Sequence, residues 1–242
     1  MQHAELVSYK DYIFPIEARE KWKNSEIIKA IHRSQHTQRN YDLSKNIPIE
    51  DIKTIITSAT QCPSKQNVAF YDLHVITNQE LIFEIYKTTT NIHAKDNEYN
   101  GLSNPQVLAN MLLIFSEKNM NKTTNHREVN MVLDKKDLET NKQIVNNDRH
   151  VAIGIAAGYV NLTASLLGYE TGCCSCVMNY DLLKKLIHTD NHPILLMGVG
   201  FKNDKKHRRL HPLSGTIDAK ENNWVDIFKS TKKEGIKINY FK

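Results

Sequence analysis

Three of the four cysteines lie in the short segment GCCSC, upstream of two histidines. Cys173 and Cys176, followed by His188 and His192, have the spacing C-x2-C-x11-H-x3-H, which is one residue shorter than that of a zinc finger. Thiolate and imidazole are common ligands of structural zinc. One hypothesis is therefore a zinc-dependent nucleic-acid-binding protein, which would also use the basic run KKHRR at 205–209.

The surroundings of the GCCSC segment favour another interpretation. It lies between a predicted buried helix and a predicted strand, in a chain long enough to form a hydrophobic core without a metal. Structural zinc usually organises small modules that lack such a core. Cysteine also behaves as a small apolar residue, so the segment is equally typical of small buried residues at a tight turn.

A polar loop, QHTQRNYD at 35–42, follows the first predicted helix. Its Gln35, His36, Thr37 and Arg39 offer an amide, a ring donor, a hydroxyl and a forked cation, which together can bind a phosphate group. A solvent-exposed loop without a ligand has the same composition, so the residue types alone leave both interpretations open.

Two further loops carry side chains suited to binding a small molecule. In CPSKQN, Pro63 ends a predicted helix, and Ser64 and Asn67 offer short donors and acceptors. In NPQV, Asn104 and Gln106 stand at the mouth of a predicted buried strand, where amides either bind the edge of a heterocycle or cap the strand. Each loop, taken alone, is also compatible with an ordinary turn.

The overall composition is ordinary for a globular protein, and its mild positive charge suits an anionic small molecule as well as a nucleic acid. Of the 242 residues, 40% are apolar and 24% are charged, and the net charge is +5 with a pI near 8.9. This surplus is small for a dedicated nucleic-acid binder, and the run KKHRRLHP, which contains His207 and Arg209, can equally meet a phosphate. Four cysteines do not make a disulfide framework here, and the N-terminus lacks the apolar stretch of a signal peptide, so we expect a cytoplasmic protein.

The hydrophobic pattern predicts intermixed helices and strands in one domain that spans residues 1–242. Helices are predicted at 24–34, 47–60, 78–89, 151–167 and 178–189, with a charged helix near 127–145, and strands at 70–77, 107–117 and 193–201. Polar residues and glycines dilute the uncharged stretch 151–169, which favours a buried core helix over a membrane span. Its Gly154 and Gly158 stand four positions apart, so one helix face can approach another backbone closely. No GxGxxG and no P-loop motif occurs.

The order of these motifs resembles that of the FMN-dependent nitroreductase family. That family begins with R-[RH]-[ST]-x-[RK]-x-[FY], continues with P-S-x-x-N, and has an alanine-rich helix that ends in LG before a basic pair. This chain has QHTQRNY, PSKQN, a helix that ends in LLGY, and KKHRR in the same order, over about residues 24–212. Gln35 stands where the family often has arginine, and Ala69, Phe70 and Tyr71 stand near the position where it commonly has Q-P-W.

The resemblance implies an FMN site assembled from several segments. At the phosphate and ribityl chain it implies Gln35, His36, Thr37 and Arg39, with His207 and Arg209 closing on the phosphate. A loop that approaches the flavin from the other subunit would contribute Pro63, Ser64 and Asn67. Asn104 or Gln106 would lie at the pyrimidine side, and Ser175 and Cys176 near N5. The resemblance implies no metal ion and no acid–base residue, because hydride transfer depends on stacking and positioning.

The resemblance also implies the architecture. We expect an α+β, nitroreductase-like fold with a mixed, mostly antiparallel central sheet wrapped by helices. We expect a homodimer that exchanges its C-terminal segments, in which the tail IKINYF adds an edge strand to the partner's sheet. The core would span about 24–212, with 119–147 as a variable insertion or lid and 213–242 as a C-terminal extension.

The implied activity is that of a flavoprotein oxidoreductase. NAD(P)H would give a hydride to flavin N5, and an electron-poor acceptor such as a nitroaromatic compound or a quinone would then enter the same slot, in a ping-pong sequence. A dehalogenase, or an enzyme that oxidises or fragments a specialised substrate, is an alternative within the family. A flavin-binding module without redox turnover is an alternative of another class. We expect neither a nucleic acid nor a membrane as a partner.

Overall fold

A four-stranded antiparallel sheet lies at the centre of the residues that the computed structural model describes, which are 24–89, 103–118, 138–205 and 239–240. The strands are β1 (Tyr71–Ile76), β2 (Met111–Glu117), β3 (Glu170–Cys174) and β4 (Pro193–Gly200). Their order is β1-β2-β4-β3, and every neighbouring pair is antiparallel. β2 and β4 therefore form the centre of the sheet, and β1 and β3 flank them.

Helices cover both faces of this sheet. Within the described ranges they are α1 (Asn24–Ser34), α2 (Ile49–Thr60), α3 (Gln79–Tyr86), α4 (Leu138–Leu166) and α5 (Tyr180–Leu186). A short 3-10 helix, Pro105–Val107, precedes β2. α2 and α4 pack on one face and α3 and α5 on the other, which makes the fold α+β, as the resemblance implies.

β2 is buried on both faces. Leu113 and Phe115 belong to the cluster that contains α4, whereas Leu112 and Ile114 belong to the cluster that contains α3. All four side chains are fully buried. Because both faces of the strand meet apolar partners, its sequence is a continuous apolar run and does not alternate with polar residues.

Small residues bring α4 close to the sheet. Ala156, Val160 and Ala164 recur every four positions along one face of the helix and are fully buried. This is the spacing at which helical side chains share a face. The alanines leave little side-chain volume between the helix and the strands, so the long helix lies close along the core.

Two arginines attach α4 to other elements, one near its middle and one at its C-terminal end. Arg149 is buried and donates from Nε to the Phe70 carbonyl at 3.1 Å and from Nη2 to the Lys118 carbonyl at 3.2 Å. Arg33 donates from Nη2 to the Ser165 carbonyl at 2.7 Å. The last carbonyls of a helix have no partner inside the helix, so Arg33 caps α4 at its C-terminal end.

The predicted elements that fall within the described residues are confirmed, with shifts of a few residues at their ends and two differences. The charged helix near 127–145 and the buried helix 151–167 are not separate over the described residues, because α4 runs without a break from Leu138 to Leu166. No proline or glycine lies between 138 and 153, so the change from polar to apolar residues alters burial and leaves the backbone helical. Residues 119–137 of the predicted insertion or lid lie outside the described residues.

β3 is the second difference, because the sequence analysis assigned GCCSC to a turn. Glycine and cysteine are poor indicators of a strand, and β3 exists through its backbone pairing with β4, with Gly172 opposite Gly198. The parallel pairing expected in a mixed sheet is not found among the described residues. Of the tail IKINYF, residues 239 and 240 alone are described, and the C-terminal exchange stays a prediction. No described helix is both long enough and apolar enough to cross a membrane.

His74 on β1 should make stability depend on pH. Its Nε2 lies 2.9 Å from the hydroxyl of the buried Ser116, and burial lowers the pKa of His74 below its usual value, against an opposing effect of Asp72. The folded state then binds the proton less readily than the unfolded state, so stability should be lost as the pH falls below about 6.5. In urea unfolding between about pH 7.5 and 5.5, His74→Gln should lose less stability than the wild type. Equal losses in the two proteins would contradict this assignment.

Candidate functional site

Tyr41 is buried in a groove that three glycines form at one end of the sheet. Gly172 of β3 is paired with Gly198 of β4, and Gly200 follows two residues later on the same face of β4. The Tyr41 hydroxyl donates a hydrogen bond to the Gly198 carbonyl at 3.3 Å. The groove can hold a tyrosine ring because none of the three strand positions carries a side chain.

Backbone atoms of other segments occupy the space where side chains of these glycines would lie. A Cβ at Gly198 would be 2.2 Å from the Gln106 carbonyl oxygen, and one at Gly172 would be 2.5 Å from the Gln38 carbonyl oxygen. Both distances are far below van der Waals contact, so these positions require glycine. The contacts hold the polar loop (residues 35–42) and the NPQV turn (residues 104–107) directly against β3 and β4.

Hydrogen bonds attach the polar loop to the same end of the sheet. The Gln38 N–H donates to the Thr171 carbonyl at 2.8 Å, and the Asp42 N–H donates to the Phe201 carbonyl at 2.9 Å. Four predicted ligands, Gln35, His36, Thr37 and Arg39, therefore lie at the end of the sheet formed by the start of β3 and the end of β4. His36 is exposed and the other three are half-buried.

The segment after β4 also meets the polar loop. The Asn203 N–H donates to the Asn40 carbonyl at 3.2 Å, and the backbones of Lys202 and Tyr41 form an isolated antiparallel β-bridge. The basic run 205–209 thus begins two residues beyond a direct contact with the loop. Its His207 and Arg209, both predicted phosphate ligands, lie outside the described residues.

The NPQV turn is bonded to the GCCSC segment. The side-chain amide of Asn104 donates from Nδ2 to Gln106 Oε1 at 3.1 Å and to Cys174 Sγ at 3.2 Å, while its Oδ1 accepts from the Gln106 N–H at 3.0 Å. Cys174 Sγ also accepts from the Cys176 N–H at 3.4 Å. The predicted pyrimidine-side amides and the exposed Ser175 and Cys176 therefore belong to one connected cluster.

The titratable groups buried in this cluster are neutral near pH 7. Burial raises the pKa of Cys173 and of Cys174 to about 11. Burial also raises the pKa of Tyr41 well above its usual value, with smaller contributions in the same direction from Cys173 and Glu170. These side chains consequently keep their protons, and they pack and accept hydrogen bonds without acting as bases.

The zinc spacing does not assemble into a metal cluster. Of the four residues of that spacing, Cys173 packs on the α4 face of the sheet, whereas His192 lies against Tyr180, which packs on the α3 face. His192 stacks on Tyr180, with ring centroids 4.3 Å apart. In the part of the chain that the structure covers, no three His, Cys, Asp or Glu side chains are placed to hold a metal ion.

The loop that carries Pro63, Ser64 and Asn67 lies at the opposite end of the sheet. This loop precedes β1, and the start of β1 pairs with the end of β2. The polar loop contacts the end of β4, which pairs with the start of β2. Lys65 of this loop forms an ion pair with Asp148 of α4 at 2.7 Å. Within one chain, the PSKQN loop is therefore not close to the polar loop.

Asn110 is a site residue that the sequence analysis missed. Its Nδ2 donates to the carbonyls of Asp42 at 2.9 Å and Lys45 at 2.7 Å, and its Oδ1 accepts from the Phe201 N–H at 3.0 Å. The buried amide thus connects the polar loop to the end of β4. The signal that could have pointed to this contact is the alternation of glycine in β4, which marks a strand face that another backbone approaches.

Comparison with known proteins agrees with this arrangement. A model of the nitroreductase family matches residues 33–201, which is more than half of the chain and includes the polar loop, the NPQV turn and the GCCSC segment. The chain has no significant match among curated protein sequences.

Three solved structures illustrate the structural likeness. A protein named as a candidate NAD(P)H:FMN oxidoreductase of Staphylococcus epidermidis is 18% identical, with a TM-score of 0.56, over 76% of this chain and 90% of that one. NfrA2 of Bacillus megaterium is 19% identical, with a TM-score of 0.58, over 81% and 77%. An FMN-dependent nitroreductase of Clostridium difficile is 13% identical, with a TM-score of 0.51, over 88% and 99%. At such low identity, the likeness shows a shared fold alone.

Gly198→Ala should destabilise the protein, because the added Cβ would overlap the Gln106 carbonyl oxygen. We expect a loss of about 2 kcal/mol in the free energy of unfolding, measured by urea denaturation. Asp190→Glu is the control, since it adds one methylene to an exposed side chain away from this contact. Equal stability of the wild type and the Gly198 variant would mean that the backbone contact is not tight.

Proposed function

The chain belongs to the nitroreductase family, and we propose that it is a cytoplasmic, FMN-dependent NAD(P)H oxidoreductase. Its electron acceptor would be an electron-poor small molecule, such as a nitroaromatic compound or a quinone. Two of the structurally similar proteins have names that include FMN, and one of these names also includes NAD(P)H. These names support the choice of cofactor and of electron donor.

The observation that carries the proposal is the contact network at the end of β4. The polar loop and the NPQV turn are distant in sequence from the GCCSC segment and from each other, yet the polar loop contacts Gly172 and the NPQV turn contacts Gly198 and Cys174. The network brings a guanidinium, an imidazole and a hydroxyl, which suit a phosphate group, to the same region as two amides, which suit the edge of a pyrimidine ring. FMN carries both of these groups in one molecule.

A buried donor without an acceptor also fits a ligand of this kind. Asn40 is almost fully buried, and its Nδ2 is the one buried side-chain atom in the described residues that lacks a hydrogen-bond partner. Asn40 follows Arg39 directly in the polar loop. An unsatisfied buried donor costs about 1–3 kcal/mol, and the phosphate and ribityl oxygens of FMN are acceptors that would remove this cost.

When bound, FMN supplies the two-electron chemistry that links NAD(P)H to the acceptor. The chain would bind and orient it. Arg39, with His36 and Thr37, would hold the phosphate and ribityl chain, and His207 and Arg209 would add positive charge there. Asn104 or Gln106 would bond the pyrimidine side, and Ser175 and Cys176 would lie beside the reactive edge.

Two buried side chains of the site, those of Tyr41 and Cys174, are neutral and cannot serve as catalytic bases. Tyr41 keeps its phenolic proton and Cys174 keeps its thiol proton near pH 7, because burial raises the pKa of both. Neither side chain is available as a base. We therefore assign no acid–base residue, and catalysis by this site depends on orientation and on the exclusion of water.

We further propose that two copies of the chain complete each site. Within one chain, the PSKQN loop and the polar loop lie at opposite ends of the sheet. Pro63, Ser64 and Asn67 can therefore contribute only to a site that belongs to a partner. A homodimer with a twofold axis supplies this exchange to both sites at once.

α4 offers the surface that such a dimer needs. Val151 and Tyr159 on this helix are 61% and 47% exposed. Gly154 and Gly158 are also exposed, and nothing lies within 4 Å of a Cβ built on either residue. An apolar helix face with two glycines permits a close approach of a second copy of the chain.

Freshly purified protein should be yellow and should release FMN on denaturation. Arg39→Ala should bind FMN at least tenfold more weakly, because it loses a charge-assisted hydrogen bond worth about 1.5–3 kcal/mol, and flavin fluorescence titration measures this change. Arg33→Ala is the matched control, since the Arg33 guanidinium binds the Ser165 carbonyl at the end of α4. The control should affect thermal stability and leave FMN affinity unchanged.

The outcomes of this experiment separate the candidate functions. A colourless protein that does not bind added FMN would overturn the proposal. A yellow protein that does not oxidise NADH or NADPH would instead be a flavin-binding module. The presence of Gln35 where the family usually has arginine favours this alternative. Unchanged FMN affinity in Arg39→Ala would remove Arg39 from the phosphate site.

Gly158→Arg should shift the protein from dimer to monomer, because the long side chain has room in one chain but would occupy the approach of a second α4. Sedimentation velocity measures the change. Glu84→Arg is the control, since it places the same side chain on the exposed surface of α3, where the Glu84–Lys87 ion pair is half-exposed and contributes little. A dimer of unchanged affinity in Gly158→Arg would exclude this helix face as the interface.

A further inference from the structure

Gln38 stands in the middle of the polar loop and is fully buried. Its side-chain Oε1 accepts hydrogen bonds from the backbone N–H groups of Arg39 and Asn40, both at 3.0 Å. Its Nε2 donates to the carboxylate of Glu170 on β3. Together with its own N–H, which donates to the Thr171 carbonyl at 2.8 Å, this residue connects the curve of the loop to the strand.

The two N–H groups that Gln38 binds are consecutive and belong to the part of the loop that carries Arg39. Holding both on one acceptor sets the local backbone direction and hence the direction in which the Arg39 side chain leaves it. Since Gln38 is shielded from water, these bonds have no competing solvent partner, and leaving them unmade is costly.

Glu170 determines which way the Gln38 amide points. A carboxylate accepts hydrogen bonds and donates none when ionised, so the amide must turn its Nε2 toward Glu170. The same orientation leaves Oε1 toward the N–H groups of Arg39 and Asn40. The carboxylate thus acts on the loop through Gln38, over a separation of 132 residues in the sequence.

We infer that Gln38 is a positioning residue that shapes the polar loop for phosphate binding, and that Glu170 orients its side chain. The inference rests on the proposed function and deepens it, because it names the residues that arrange the phosphate ligands without touching the ligand themselves. It concerns the phosphate end of the cofactor and not the ring.

The first test compares FMN with riboflavin, which lacks the phosphate. Gln38→Leu keeps a buried side chain of similar size but removes its three hydrogen bonds. We expect its affinity for FMN to fall about tenfold or more, while its affinity for riboflavin changes little. Equal weakening for both flavins would overturn the inference, because a general loss of structure does not distinguish them.

The second test exchanges the two hydrogen-bonding partners. Gln38→Glu places two carboxylates against each other, and it should weaken FMN binding. Adding Glu170→Gln restores the hydrogen bond between the two side chains with the roles reversed. The amide now at position 170 would donate to the carboxylate now at position 38. That carboxylate would still accept hydrogen bonds from the N–H groups of Arg39 and Asn40. The double variant should bind FMN within about threefold of the wild type. A double variant no better than Gln38→Glu would contradict the orienting role of Glu170.

Controls keep this inference separate from the proposed function. If the wild type does not bind FMN, the proposed function fails, whatever the variants do. If the wild type binds FMN and both Gln38 variants bind it equally well, the inference alone is overturned. Circular dichroism and the melting temperature without flavin check folding, and if Gln38→Leu does not fold, the comparison of the single and double exchange variants decides.

Discussion

The arrangement of the site depends on strand positions that carry no side chain. At Gly172 and Gly198 the polar loop and the NPQV turn lie directly on the strand backbone, with carbonyl oxygens in the space of the absent Cβ atoms. This close contact also makes the strand register essential. A shift of one residue would turn the glycine face of β4 away from the loops and bring Val199 into the groove, because strand side chains alternate between faces. The pairing of Gly172 with Gly198 therefore positions the residues of both loops together.

α4 gives the molecule its second constraint. Arg149 ties it to the carbonyls of Phe70 and Lys118 near the end of β2, and Arg33 caps it beside the polar loop. A helix of 29 residues is about 43 Å long, so it runs past the whole sheet. The PSKQN loop and the polar loop lie at opposite ends of this sheet, and the exposed face of α4 is the surface across which two chains would combine them.

Much of the fold could be predicted from the sequence, because apolar periodicity reports burial. β2, β4 and the helices carry enough apolar residues to be recognised without partners. β3 could not be recognised, since Gly172 and Cys173 have no strong strand preference and the strand forms through pairing with β4. The zinc spacing could not be judged from the sequence for a related reason, because a count of positions does not tell that Cys173 packs on the α4 face while His192 stacks on Tyr180, which packs on the α3 face.

The site could be predicted in part. His36, Thr37, Arg39 and the two amides of the NPQV turn were proposed as ligands by residue type, and that role stays a prediction. Gln38 and Asn110 were not recognised, because they act through partners 132 and 68 residues away in the sequence. No local pattern records such contacts.

Burial makes the cysteine pair beside the site resistant to oxidants. Peroxides attack thiolates much faster than thiols, and a thiol whose pKa is raised to about 11 stays almost entirely protonated near neutral pH. Cys173 and Cys174 are thus almost inert sulfur atoms, one packed against α4 and the other accepting hydrogen bonds from Asn104 and Cys176. If the proposed redox chemistry takes place at this site, these two sulfur atoms would lie beside it without being readily consumed, whereas Cys176 of the same segment is exposed.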